Sequence, residues 1–335
     1  MNVRTTTALA ASGGPAYRLQ LVFDAGPTMT MWRPLLRRLR QSLTQAGSFH
    51  RVSVSVLKAD GTLRGSRIED DRTVTLVVSD CCGPQWFPGQ AAEHWYGTLR
   101  RWARVRPVAV VQPLPERMWQ RTALHGTPGR ICAPTPGAPN PALRFTPYDG
   151  APQPVPDSIP VPVLESSTLW LENWFTLISG SGQTDVPGAV AFVPPAHAVA
   201  PPEGAVSPAE LSAEELVLRF RATASPEAFR LAGHLAVGVP HLPVMRLVQD
   251  AVEAEPRPSH LAEVILSGVL RAVPGAPGSY VFREGVGALL LRTVPNGEFA
   301  RTADLLMRSG TALADTPEGR FALVSEDGQR RLRRA

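Results

Sequence analysis

The chain has 335 residues, 44% hydrophobic and 19% charged, enough to bury a substantial core and to form two domains. Three cysteines, Cys81, Cys82 and Cys132, exclude a disulfide framework and fit a reducing, cytoplasmic compartment. No run approaches the ~20 apolar residues of a membrane helix, and the formal charge of +5 rests almost wholly on arginine, with Lys58 the only lysine.

Residues 1–16 carry no apolar core and read as a flexible N-terminus. Residues 17–24 then form a strand-length apolar run ending on Asp24, followed by the loop Ala25-Gly-Pro-Thr28. Arg33 to Ala46 places Leu35, Leu36, Leu39 and Leu43 at helical spacing with arginines between. Arg51–Leu57 alternates valine with serine, as an edge or half-buried strand does, and closes at Asp60-Gly61. Val74–Val78 is a further strand, delivering Asp80 and Cys81 to the same edge as Asp24. Gln90–Val105 reads as a helix and Pro107–Gln112 as a strand, and this alternation predicts a three-layer α/β domain over residues 17–193.

Between Thr127 and Pro162 the proline density predicts a surface excursion without regular structure. The pattern resumes with strands at Val161–Leu164 and Ala189–Val193 around a helix at Thr168–Ile178, and residues 194–210 read as a Pro/Ala-rich linker. All seven tryptophans precede it, and so does the basic excess: residues 1–193 carry 19 basic against 13 acidic side chains, whereas residues 194–335 are net −1.

After the linker the periodicity is helical, with segments at Ala213–Ala222, Pro226–Ala236, Leu242–Ala254 and Ser259–Ala272 and a short strand at residues 280–282. Ser225-Pro226-Glu227 supplies a cap, a first-turn proline and a first-turn acid. Helices followed by a small β element, over 211–298, resemble a winged helix. Residues 299–335 read as a C-terminal extension with one helix and a basic frayed end. The helix that would enter a DNA groove, from Ser259, has no Arg, Lys, Asn or Gln before Arg271, so base readout and nucleic-acid binding are not expected.

Four constellations bear on chemistry. Asp24, Thr28 and Asp80 offer two carboxylates and a hydroxyl at one sheet edge, at most a weak magnesium site; the competing reading makes both aspartates acceptors of backbone N–H groups at the strand ends. Cys81-Cys82 follows a buried strand, where nucleophiles stand in many α/β enzymes, but the nearest histidine in sequence, His94, lies on a helix whose face the sequence does not assign, and the competing reading makes both cysteines small buried side chains. Trp95 and Trp102, seven apart on one helix, read as core packing rather than a stacking platform for nucleic acid. Trp86 and Phe87, in a loop beside Asp80, read as an exposed aromatic pair that could anchor a partner protein.

Strand-end aspartates on adjacent loops resemble the metal-ion-dependent adhesion site of a von Willebrand factor A domain, in which an Asp-x-Ser-x-Ser loop is joined by a second aspartate. Here the loop is Asp24-Ala-Gly-Pro-Thr28, with Gly26 in place of one hydroxyl and Thr62 as the candidate threonine of an intervening loop, so the resemblance is to a degenerate site. More widely, Leu21-Val-Phe-Asp-Ala-Gly-Pro-Thr-Met29, Trp32-Arg-Pro34, Val108 to Trp119 and, further on, Arg221 to Ala232 and His260-Leu-Ala-Glu-Val264 resemble a family of uncharacterised Streptomyces-type proteins. That resemblance implies work alongside an ATPase or effector encoded nearby, in a bacterial conflict or signalling system. The expectation is a non-enzymatic adaptor whose docking loops carry Asp24, Thr28, Asp80, Trp86 and Phe87. Two other readings stay open: a metal- or Cys-dependent hydrolase or transferase at Asp24, Asp80 and Cys81, and a DNA-binding regulator acting through the second module.

Overall fold

Apolar strands terminated by polar residues assemble into one large sheet. The computed structural model describes residues 17–45, 49–65, 72–150, 154–180, 185–198, 210–274, 276, 278–312 and 324–333; the N-terminus 1–16 and most of the 194–210 linker lie outside them. The chain divides into two compact units, Met1–Glu203 and Gly204–Ala335.

The first unit is α/β. Its sheet contains β1 (Arg18–Asp24), β2 (Arg51–Leu57), β3 (Leu63–Gly65), β4 (Thr73–Val78), β5 (Val108–Gln112), β6 (Thr127–Cys132), β7 (Arg144–Pro147), β8 (Ile159–Glu165) and β9 (Val186–Val193). The order is β3-β2-β1-β4-β5-β8-β9-β6-β7, with β2, β1, β4, β5 and β8 mutually parallel and β3, β9, β6 and β7 each antiparallel to the strand beside them. The chain passes from β1 to β2 on one side and later to β4 on the other. The topological switch point of this Rossmann-like sheet therefore lies between β1 and β4.

Side-chain alternation builds the layers. Leu19 and Leu21 of β1, Val74, Leu76 and Val78 of β4, and Ala109 and Val111 of β5 share a core with Leu39 and Leu43 of α1 (Arg33–Gln45) and Trp174 and Ile178 of α3 (Thr168–Ser179). The alternate residues face the other way. There Gln20 accepts from Arg106, which follows α2 (Gln90–Ala103), at 2.9 Å. In α2 itself Trp95 and Tyr96 are buried and Trp95 meets the half-buried Trp102 edge-on at 6.2 Å, so Trp95 is core and Trp102 lies at its margin. Arg100 and Arg106 are turned inward too, Arg100 onto the carbonyls of Val193 and Asp157.

The proline-rich segment departs from its expected irregularity. β6 and β7 lie within it and complete the antiparallel end of the sheet, and the paired part of β8 begins at Ile159. Pro160 and Pro162 stand inside β8, where a proline removes one ladder donor. Asn140, fully buried, makes up the deficit: its amide donates to the carbonyls of Pro160 and Val108 (2.8 and 2.9 Å), and its oxygen accepts the Val108 N–H at 2.8 Å. One side chain thus plays the part of a strand residue between β5 and β8.

The second unit is mainly helical: α4 (Ala213–Thr223), α5 (Pro226–Leu235), α6 (Leu242–Val252), α7 (Pro258–Leu266), a hairpin of β10 (Leu270–Ala272) and β11 (Tyr280–Phe282), α8 (Val286–Arg292), α9 (Asn296–Ala312) and α10 (Glu326–Leu332). Ser225 caps α5 through Ala228 N–H, and Ser212 with Glu215 forms a capping box on α4. The helix expected to run from Ser259 to Ala272 stops at Leu266; Gly268 takes a positive φ of 87° and turns the chain into β10. Within 299–335 the described residues include buried ones. Phe299, Ala303 and Leu306 of α9 are buried, and Val324 pairs with Gly238 ahead of α10. Within the described residues no helix is long and apolar enough to cross a membrane.

Candidate functional site

The register Phe23↔Val78 between β1 and β4 brings Asp24 beside Ser79 at the switch point, the edge where sheets of this type present function. Ser79 donates to Asp24 Oδ2 at 2.6 Å. Asp24 Oδ1 accepts the Gly26 N–H at 2.7 Å, an Asx bond that turns the chain out of the strand. From the loop after β4, the Gln85 amide reaches both Asp24 oxygens at 2.6 and 2.7 Å and the Trp86 indole N–H reaches Oδ2 at 3.0 Å. Asp24 is 3% exposed, and its acceptor directions are filled by four neutral donor groups of the chain itself.

Two glycines admit Gln85. A Cβ on Gly26 would lie 3.1 Å from Asp24 Oδ1 and 3.4 Å from Gln85 Nε2, and one on Gly83 would lie 2.6 Å from Gln85 Oε1. The residue that stands where the adhesion-site pattern has a hydroxyl is thus the one that makes room for an amide. Sequence reading missed Gln85 and Ser79 for want of a local signal; their partner is 61 and 55 positions away.

Trp86, expected as an exposed anchor, is wholly buried. It packs edge-on against Trp95 and Tyr96 at 5.6 and 6.0 Å, and its carbonyl accepts the Tyr96 hydroxyl. Its apolar body fills the core while its N–H serves Asp24, which is how a buried indole is satisfied. Phe87 is only half-buried, and Pro84 and Pro88 beside it in the chain are exposed, as are Ala25 and Pro27 of the loop after β1.

Asp80 is 1% exposed, and its Oδ1 accepts the Cys82 N–H at 3.0 Å, a second Asx turn. Burial raises its pKa to about 6, opposed by the nearby Thr28 hydroxyl and reinforced by the charge of Asp24. Among the described residues, Asp80 Oδ2 and Thr28 Oγ1 make no hydrogen bond of regular geometry. Thr62 is not brought to the cluster; its hydroxyl donates to Asp60 at 2.6 Å within its own turn.

Magnesium wants about six oxygens near 2.1 Å. The set does not fit it, because Gln85 and Trp86 direct N–H groups at the carboxylate that a cation would use. Among the described residues no group of three or more His, Cys, Asp and Glu could hold a metal ion. The thiol chemistry is equally unsupported. Cys81 takes a strained φ of 55° at the strand end but is fully buried, and burial, then the charges of Asp80 and Asp24, push its thiol well above the ordinary range. Cys82 is pushed up by burial and by Asp80 as well. Both thiols are protonated at neutral pH, the reverse of an activated nucleophile.

Comparison with protein-family models, curated proteins and solved structures returned no match to the chain.

Proposed function

We propose that the protein is a non-enzymatic adaptor: a degenerate von Willebrand A-like domain, joined to a winged-helix-like module, that engages a partner protein such as an ATPase or effector. The observation that carries this reading is the closure of Asp24 by Gln85 and Trp86, which turns the switch-point edge from a reaction centre into a fixed surface. On that surface Phe87 is half-buried among exposed prolines, offering apolar area on a rigid loop. The second module supports a protein rather than a DNA partner. α7, the helix ahead of the hairpin, buries six of its nine residues, and its Glu263 accepts from the Ser225 N–H at 2.6 Å to hold the start of α5. A helix so enclosed has little side-chain surface for base edges.

Photocrosslinking in the native host from a probe at position 88 tests the docking face. The expected result is one dominant adduct with a protein bearing an ATPase or effector domain, lost in Phe87→Ala while the fold stays intact. Adducts unchanged by Phe87→Ala, or turnover of a substrate by the purified chain, would overturn the reading.

A further inference from the structure

In the second unit a groove of about 400 Å³ lies where α5, the end of α6 and α9 line a common space. The volume is that of a small-molecule site. Its floor holds His234 and Thr302, buried at 2% and 3% exposure, with Val252 and Leu305 as apolar wall; Arg230, Arg301 and Arg308 stand exposed around it.

The charges nearly balance in number, with Arg230, Arg301 and Arg308 against Glu298 and Asp304, but not in pairing. Arg308 pairs with Asp304 at 2.8 Å, and Glu298 is engaged by His234 Nε2 at 3.2 Å. Arg230 and Arg301 bond to main-chain carbonyls instead, those of Val252 and Gly297, and among the described residues neither has a carboxylate partner. Both act on one imidazole: after burial, which is the largest cause and is opposed by Glu298, these two arginines hold His234 below its usual pKa. Arg230 and Arg301 line the same groove as His234, each with N–H donors to spare. His234 Nδ1 is fixed by Thr302 at 2.8 Å, so the ring is anchored in the wall.

We infer that this groove is a binding site for an organic phosphate monoester, with the phosphate between Arg230 and Arg301 and the apolar body on Val252 and Leu305. A dianion matches two arginines without carboxylate partners, and the planar fork of arginine suits phosphate oxygens. The site shares no residue with the switch-point cluster or with the Phe87 loop.

Titration calorimetry of the full chain with inorganic phosphate, phenyl phosphate and benzoate tests it. Phenyl phosphate is expected to bind about tenfold or more tighter than inorganic phosphate, because it adds an apolar body. Arg301→Gln should weaken it about tenfold or more, since a charge-assisted fork is lost. Bound dianion should also raise the His234 titration midpoint, followed by ring-proton NMR with His234→Gln fixing the assignment. Arg230→Gln should weaken binding similarly; if it unfolds the unit, Arg301→Gln, whose bond is to its own helix backbone, decides alone. The assignment is overturned by no binding of phenyl phosphate at about 10 mM, far weaker than small-molecule sites of this size, by unaltered affinity in Arg301→Gln, or by benzoate binding more tightly than phenyl phosphate.

Discussion

The two polar clusters of this protein are opposites. At the switch point of the first unit, a buried carboxylate meets Gly26, Ser79, Gln85 and Trp86, all neutral donors from its own chain, and two adjacent loops are tied shut. In the groove of the second unit, Arg230 and Arg301 rim a space of about 400 Å³ and bond to main-chain carbonyls, while the carboxylates that also line it, Glu298 and Asp304, are engaged by His234 and Arg308. A polar group satisfied within the chain contributes to folding, and one left with donors facing solvent is free to bind. Position in the fold points to the switch point, where sheets of this kind usually bind ligands, yet there the carboxylate is filled by groups of its own chain.

The sharpest way to break this comparison is to remove the acceptor. Asp24→Ala leaves the Ser79 hydroxyl, the Gln85 amide and the Trp86 indole without their shared partner, at ~1–3 kcal/mol for each buried orphan. The expected loss is about 4 kcal/mol in the denaturant unfolding of the first unit, whereas Arg301→Gln in the groove should change stability by less than about 0.5 kcal/mol. Comparable effects at the two positions would erase the distinction.

Asp80 gives the next largest effect, and its sign is opposite to that of a salt-bridged acid. Its folded pKa of about 6 lies above the ordinary value of 3.8, so between these values the folded state holds a proton that the unfolded state has released. Stability is then fully present below about pH 4 and is lost as pH rises through 6, by on the order of 3 kcal/mol. Asp80→Asn cannot ionise. The stability difference between variant and wild type should therefore grow in the variant's favour from pH 4 to pH 7, and a flat difference would refute the assigned cause.

The smallest expected effect is that of a cation. With the Asp24 acceptor directions filled, millimolar magnesium should move the unfolding free energy by less than about 0.3 kcal/mol, since stabilisation follows RT ln(1 + [L]/Kd). A shift above about 1 kcal/mol that disappears in Asp24→Asn would restore the adhesion-site chemistry.

Much of this molecule is written locally. Apolar runs of strand length placed Asp24 and Asp80 at one sheet edge, the heptad interval of Trp95 and Trp102 put the two rings in contact on one helix face, and Ser225-Pro226-Glu227 began a helix, because strand alternation, helical period and caps depend on neighbours within a few residues. What surrounds those residues was decided only by the tertiary structure. Gln85 and Trp86 close Asp24 across about sixty positions, Asn140 repairs a strand that contains Pro160 and Pro162, and α9 buries Phe299 and Leu306. Each depends on a partner remote in sequence. Composition says that a buried polar atom must find a partner, but only the packed chain determines which one it finds.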